Sequence, residues 1–175
     1  MITREFTKGD APSTATYSAD ERYRYDLIRT WDGAGERINF VMLNPSTATE
    51  LANDPTVERC ERRARALGYG AFRVTNIFAY RATDPRDMRA CPDPVGGSAN
   101  DAAIRAAAHW ADAVVCAWGV HGAHLDRGPA VERLLRATGR PLSMLGLSKD
   151  GHPKHPLYIG YAVRPQPWEA VRCPT

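Results

Sequence analysis

The stretch INFVMLNPS (38–46) decides the fold: its first six residues form a nearly continuous apolar run, which stops abruptly at Asn44-Pro45-Ser46. Such a run is typical of a parallel strand that is buried on both faces of a sheet. A helix is predicted after it, from Pro55 to Leu67, because Asp54 is a good N-cap, proline suits the first helical position and Gly68 is a helix stop. The stretch therefore predicts the first β-α unit of an α/β fold.

The same alternation continues along the chain. Besides 38–43, buried strands are predicted at 71–78, 112–118 and 141–147, with helical segments between them. Strands and helices that alternate regularly and are joined by short loops predict a three-layer α/β/α fold with a central, mostly parallel four-stranded sheet. The segment RYRYDLIRTW (22–31) alternates charged with apolar side chains, which favours an N-terminal antiparallel edge strand or hairpin.

Composition sets the class of protein. The 175 residues are 43% hydrophobic and 25% charged, which favours one globular domain and excludes an intrinsically disordered chain. We expect a loose arm at 1–15 and a single domain at 16–175. The chain shows neither an apolar run long enough to span a membrane nor the apolar core of a secretory signal. A cytoplasmic monomer without membrane contact is expected.

Charge and cysteine spacing bear on partners and cofactors. The net charge is +3, but residues 127–175 carry eight basic and three acidic side chains, against 15 and 17 in residues 1–126. A positive C-terminal third favours an acidic partner such as nucleic acid. No two of the four cysteines have CxxC spacing, so neither a zinc knuckle nor a redox dithiol is indicated. We expect no cofactor.

Polar and aromatic residues follow each predicted parallel strand. Ligands in open parallel sheets bind outside the carboxyl ends of the strands, so these side chains are expected to converge on one site. The residues so placed include Asn44, Ser46, Asn76, Phe78, Tyr80, Arg81, Trp118, Lys149, His155 and Tyr158.

Several motifs resemble those of the DUF1643 family, whose name carries no activity. They are MLNPSTA (42–48), DPTVERC (54–60), VTNIFAYRATDP (74–85), DPVGGSANDAAI (93–104), VCAWGVHG (115–122) and GHPKHPLYI (151–159). The resemblance covers about residues 20 to 162.

The same order of motifs is similar, more distantly, to the uracil-DNA glycosylase superfamily. Members have an Asn-Pro-Gly-type loop after the first core strand, a Thr-Asn near the end of the next, and a late His-Pro-Ser-type loop. Here those places hold Asn44-Pro45-Ser46, Thr75-Asn76 and His155-Pro156-Leu157. The resemblance implies a glycosylase-like fold and cleavage of the N-glycosidic bond of a modified or mispaired base, most simply in DNA.

The resemblance also implies roles for individual residues. Asn44 would position a water through its amide oxygen, and His155 would donate a hydrogen bond to the departing base. The base would be held by Ser46, Asn76, Phe78, Tyr80 and Trp118. The nucleic acid would be contacted by Arg81, Arg127, Lys149, Lys154 and Tyr158, the last acting as a wedge.

Two other classes of function remain open. His121-x-x-His124 and His152-x-x-His155 lie on two loops predicted at the same end of the sheet, and four histidines there would suit a metal-dependent hydrolase. The alternative is a nucleic-acid-binding module that keeps the fold without the chemistry.

Overall fold

The computed structural model describes residues 1–171, which build one eight-stranded sheet and four α-helices. The strands are β1 (Ile2–Lys8), β2 (Ala11–Tyr17), β3 (Arg24–Thr30), β4 (Arg37–Met42), β5 (Ala71–Asn76), β6 (Ala113–Cys116), β7 (Leu142–Met144) and β8 (Gln166–Pro167). The helices are α1 (Pro55–Ala66), α2 (Pro85–Ala90), α3 (Gly97–Trp110) and α4 (Arg127–Arg136). Short 3₁₀ segments cover Val120–Asp126 and Pro156–Tyr158.

The sheet is mixed, with the strand order β1-β2-β3-β5-β4-β6-β7-β8. The four strands predicted from apolar runs are adjacent, and each of their pairings, β5 with β4, β4 with β6 and β6 with β7, is parallel. The other pairings within residues 1–171, β1 with β2, β2 with β3, β3 with β5 and β7 with β8, are antiparallel. Antiparallel pairings therefore outnumber parallel ones, which corrects the prediction of a mostly parallel sheet with one edge element.

Helices cover both faces of the sheet, because the β4 side chains alternate between two cores. Ile38, Phe40 and Met42 pack into one apolar cluster together with side chains of α1. Val41 and Leu43 pack into the other, which includes side chains of α3 and α4. This gives the helix–sheet–helix layering that a strand buried on both faces requires.

The N-terminal residues are a β-hairpin, so the expectation of a loose arm at 1–15 is wrong. β1 and β2 pair over their full length, from Ile2 opposite Tyr17 to Lys8 opposite Ala11. Gly9, with a φ of 61°, makes the turn. Alternate residues of β2 are buried, and Ala15 and Tyr17 join the α1-side core. The small, polar composition of this segment gave no local sign of that packing.

The segment 22–31 is antiparallel as predicted, but it is not at the edge. Its strand β3 lies between β2 and β5. Both of its edges are therefore hydrogen-bonded to neighbouring strands, and four residues of β3 in succession, Arg24, Tyr25, Asp26 and Leu27, are buried.

Helix starts agree best with local sequence. Asp54 caps α1 as expected, and Asp84 caps α2 in the same way, each followed by proline at the start of the helix. α3 begins at Gly97 and α4 at Arg127. No helix within residues 1–171 combines the length and apolar character that crossing a bilayer demands.

Candidate functional site

The strand order creates a crevice between β4 and β6. From β4 the chain reaches its neighbour β5 through α1 on one face, and later reaches its other neighbour β6 through α3 on the opposite face. Strands whose connections leave over opposite faces mark a topological switch point, where open α/β sheets bind ligands beyond the carboxyl ends.

A cavity of about 550 Å³ lies at this point. Its volume is in the range of sites for small molecules or single bases. It is lined by the residues after β4 and β6, the starts of α1 and α2 and the late 3₁₀ segment, namely Leu43, Asn44, Ser46, Thr47, Asp54, Pro55, Thr56, Ala82, Thr83, Pro85, Trp118, Gly119, Val120, His121, His155, Leu157 and Tyr158. We call it the switch-point cavity.

Asn44 is held so that its amide oxygen is the free end. Its Nδ2 donates to the carbonyl oxygens of Ala82 at 2.7 Å and Pro45 at 3.0 Å. Both amide hydrogens are thereby used, and the assignment of nitrogen and oxygen is fixed because only the nitrogen can donate. Asn44 therefore offers the cavity an oriented hydrogen-bond acceptor.

His155 is a neutral imidazole. Burial lowers the pKa of His155 to about 4; the nearby Asp54 carboxylate opposes this shift and His121 adds to it. Nδ1 accepts a long hydrogen bond from the Leu157 backbone N–H at 3.4 Å. An accepting Nδ1 carries no proton, so the ring proton is on Nε2. His155 therefore has the form that donates without being charged.

Asp54 brings a fixed carboxylate to the cavity. One oxygen accepts from the Val57 N–H at 2.8 Å and caps α1, and the other accepts from the Ala48 N–H at 3.2 Å. Its side chain is 8% exposed. The two hydrogen bonds fix the orientation of the carboxylate at the wall of the cavity.

Two buried arginines of β3 shape the loop between β4 and α1. Arg24 donates to the Ala48 carbonyl at 2.7 Å. Arg29 donates to the Glu50 carbonyl at 3.0 Å and the Thr49 carbonyl at 2.8 Å, and it also binds the Asn53 side chain. Burial is the main influence on Arg24 and lowers its pKa to about 10. The loop that carries Asn44 and Asp54 is thus held from beneath.

Two arginines of α1 hold the segment after His155. Arg63 donates to the carbonyls of Val163, Ile159 and Gly160, and Arg59 donates to those of Pro156 and Ile159. Arg63 is 1% exposed. From the other side, the Gly119 N–H donates to the Pro153 carbonyl at 2.8 Å. His155 is therefore placed by contacts on both sides of it.

Comparison with protein families bears on this arrangement. The DUF1643 model, described as a protein of unknown function, matches residues 24–157. The chain belongs to the DUF1643 family. The match spans the sheet from β3 through β7 and every residue that lines the switch-point cavity except Tyr158. Searches of curated proteins and of solved structures gave no match.

Five residues predicted for the site meet in the cavity of this DUF1643 member. They are Asn44, Ser46, Trp118, His155 and Tyr158. Trp118 is almost fully buried and its ring packs edge-on against Trp168, whereas Tyr158 is 91% exposed. Asn44 and His155 are far apart in sequence, so their meeting is a tertiary feature.

Three of the predicted base-binding residues lie outside the cavity, namely Asn76, Phe78 and Tyr80. Asn76 is 1% exposed, and its Oδ1 accepts from Arg24 at 3.4 Å beneath the loop, which corrects the expectation that it shares a pocket with Asn44. Phe78 is fully buried in the α3-side core, where its ring contacts His124. Alternation along β5 and the turn after it directs these side chains away from the cavity.

The predicted nucleic-acid contacts are divided. Arg81 lines a neighbouring depression of about 480 Å³, together with Tyr80, which was predicted to bind the base. Arg127 is buried and donates hydrogen bonds to the Ile77 carbonyl at 2.7 Å and to the Asp101 carboxylate at 2.6 Å, so its guanidinium is not available to a ligand. Lys149 and Lys154 are exposed.

The four histidines do not assemble. His121 and His155 line the cavity, while His124 packs against Phe78. Across residues 1–171, no group of three or more His, Cys, Asp or Glu side chains is arranged to hold a metal ion. Within the described residues the four histidines thus form no common metal site, and the metal-dependent hydrolase stays an untested alternative.

Sequence reasoning missed the most consequential charged groups. Asp54 was predicted only as a helix cap, and no part in the site was predicted for the arginines of α1, yet Asp54 lines the cavity and Arg63 is buried. A signal was present for Asp54, since a helix that follows the first strand begins at the carboxyl edge of the sheet.

Proposed function

We propose that this chain is an N-glycosyl hydrolase that removes a modified or mispaired base from DNA, with the base in the switch-point cavity. The proposal rests on one observation: Asn44 and His155 line the same cavity, the first as an oriented acceptor and the second as a neutral donor. The resemblance of the motif order to uracil-DNA glycosylases supports it, and a glycosylase-like fold is part of the proposal.

The reaction needs an acceptor and a donor. As the C1′–N bond breaks, its electron pair goes to the base and positive charge develops on the sugar; a water oxygen then bonds to C1′ and a water proton is released. The Asn44 oxygen positions that water, since amide oxygens accept but do not remove protons. His155 stabilises the departing base through a hydrogen bond from Nε2.

Asp54 supplies the charge that the amide lacks. A fixed carboxylate in a largely enclosed site stabilises the positive sugar more than it would in water, because the effective dielectric constant is lower. Its two backbone hydrogen bonds keep it oriented during the reaction.

The surroundings suit a polymer more than a free nucleoside. Tyr158, at 91% exposure, stands at the rim of the cavity, and the loop before it carries the exposed Lys149 and Lys154. Basic side chains near the site would contact phosphates, and the exposed ring would fill the gap left by an extruded base.

Formation of abasic sites in oligonucleotides that contain uracil, mismatched thymine, hypoxanthine or oxidised pyrimidines tests the proposal. Asn44→Ala and His155→Ala are each expected to slow cleavage by about 10²–10³-fold with DNA binding retained. His109→Ala is the matched control, because His109 is exposed on α3 just before β6, at the opposite edge of the sheet. Full activity in both cavity variants would overturn the assignment of the site, and DNA binding without any cleavage would favour the binding-module alternative.

A further inference from the structure

The walls of the switch-point cavity carry an unbalanced charge. Asp54 is the one carboxylate among the lining residues, and no lysine or arginine is among them. Of the two histidines in the lining, His155 is neutral at physiological pH because burial lowers its pKa to about 4. A ligand in the cavity therefore meets a carboxylate with neither a lysine nor an arginine in the lining.

The positive groups around Asp54 lie behind or outside the wall. Arg24 is separated from it by the backbone of Ala48, whose carbonyl accepts from Arg24 and whose N–H donates to Asp54. Arg24 is buried there and does not line the cavity. Arg89 stands on the solvent side of His121, with 3.4 Å between its Nη1 and Nδ1 of His121, where water and salt screen its charge.

The remaining lining suits a flat ring. Leu43, Val120 and Leu157 contribute apolar side chains to the lining, and the ring of Trp118 is almost wholly buried behind them. A planar cation thus gains from apolar contact with the faces of its ring and from the Asp54 carboxylate, whereas a phosphate would be repelled by Asp54.

We infer that the base held in this cavity carries a positive charge, as N-alkylated purines do, and that Asp54 selects it. This inference rests on the proposed function, because it names the substrate class of the same site. In such a substrate the C1′–N9 electron pair neutralises the ring as the bond breaks, a water oxygen bonds to C1′, and one water proton passes to solvent. The base leaves uncharged, so the weakly activating Asn44 suffices where a neutral base would need a stronger catalyst.

Calorimetric titration of the full chain with N7-methylguanosine and with guanosine, at mildly acidic pH where the methylated nucleoside is a cation, tests the inference. We expect the cation to bind on the order of tenfold more tightly than guanosine. Asp54→Asn keeps a good N-cap while removing the charge, and it is expected to abolish most of that preference. Glu36→Gln, which also removes a carboxylate but lies exposed just before β4 and outside the lining, is the control for a general change in charge and should keep the preference.

Equal binding of the two nucleosides, binding of neither, or an undiminished preference in Asp54→Asn would overturn the inference. Release of N7-methylguanine from methylated DNA is measured separately. Preferential binding without release would refute the hydrolase proposal and leave the charge selection standing. Release of neutral bases together with equal binding would support the hydrolase and refute the charge selection.

Discussion

The neutral His155 makes the stability of the fold depend on pH in a definite way. Burial lowers the pKa of His155 from 6.5 to about 4 in the native state. As the pH falls below 6.5 the unfolded chain takes up a proton that the folded chain refuses until about pH 4, so acid favours unfolding. One pKa unit corresponds to about 1.4 kcal/mol, and the shift therefore removes about 3 kcal/mol of stability between about pH 7 and about pH 4. At still lower pH the contribution of His155 levels off.

Denaturant unfolding at a series of pH values measures this effect. His155→Gln keeps a polar side chain but cannot titrate, so the difference in unfolding free energy between the native chain and this variant isolates the histidine. That difference is expected to change by about 3 kcal/mol over the range. His109→Gln controls for loss of an exposed histidine. NMR titration gives the pKa of the His155 imidazole directly. The reasoning would be refuted if the His155 imidazole titrated near pH 6.5, or if the unfolding free energies of the native chain and of His155→Gln changed equally with pH.

Three further outcomes follow from the packing around the cavity. Gly122→Ala would place its Cβ in contact with Trp118 Cδ1, so it is expected to lower the unfolding free energy by about 1–3 kcal/mol and to change the tryptophan fluorescence. Gly33→Ala, whose Cβ would have no atom within 4 Å, is the control and should change neither quantity, so equal stability of the two variants would contradict the prediction. Arg63→Met leaves three backbone carbonyls without their donor, so it is expected to lower the unfolding free energy by about 2–4 kcal/mol and to speed amide exchange at 159–163. The control Arg62→Met, in a side chain that is 67% exposed, should lower it by less than about 0.5 kcal/mol, and similar losses in both variants would argue against a specific role for Arg63. Asp54→Ala is expected to have an unfolding free energy about 1–2 kcal/mol lower than that of Asp54→Asn, because asparagine still caps α1. Chemical denaturation of the two variants measures the difference, and equal midpoints would show that the N-cap does not contribute to stability.

The predictability of the fold depended on how local the signal was. α1 was placed within a residue because its cap, its proline and its final glycine all act within one or two helical turns. The hairpin at 2–17 was missed because its burial comes from contacts with β3 and the α1-side core, which leave no mark in a short, polar segment. Because this hairpin was not predicted, β3, which pairs with it, was expected at the edge of the sheet.

The candidate site was predicted in part for a similar reason. Asn44 and His155 follow strands, and the rule about carboxyl ends applies wherever a parallel sheet is recognised. Asn76 obeys the same rule by position, yet it faces Arg24 under the loop. Successive side chains of a strand point to opposite faces, so an error of one residue in the predicted end of the strand reverses the predicted direction of a side chain there.

The sequence by itself determined the β-α units, their order and the helix starts at Asp54 and Asp84, because apolar periodicity and capping are properties of neighbouring residues. Only the tertiary structure decided that Asn44, Asp54 and His155 share one cavity and that Arg24 and Arg63 lie buried behind it. Burial of an arginine is favourable only where several backbone carbonyls converge on its guanidinium, and that convergence exists only once distant segments have packed together. The neutrality of His155 has the same origin, since the packed structure around it shields much of its ring from water and so lowers its pKa.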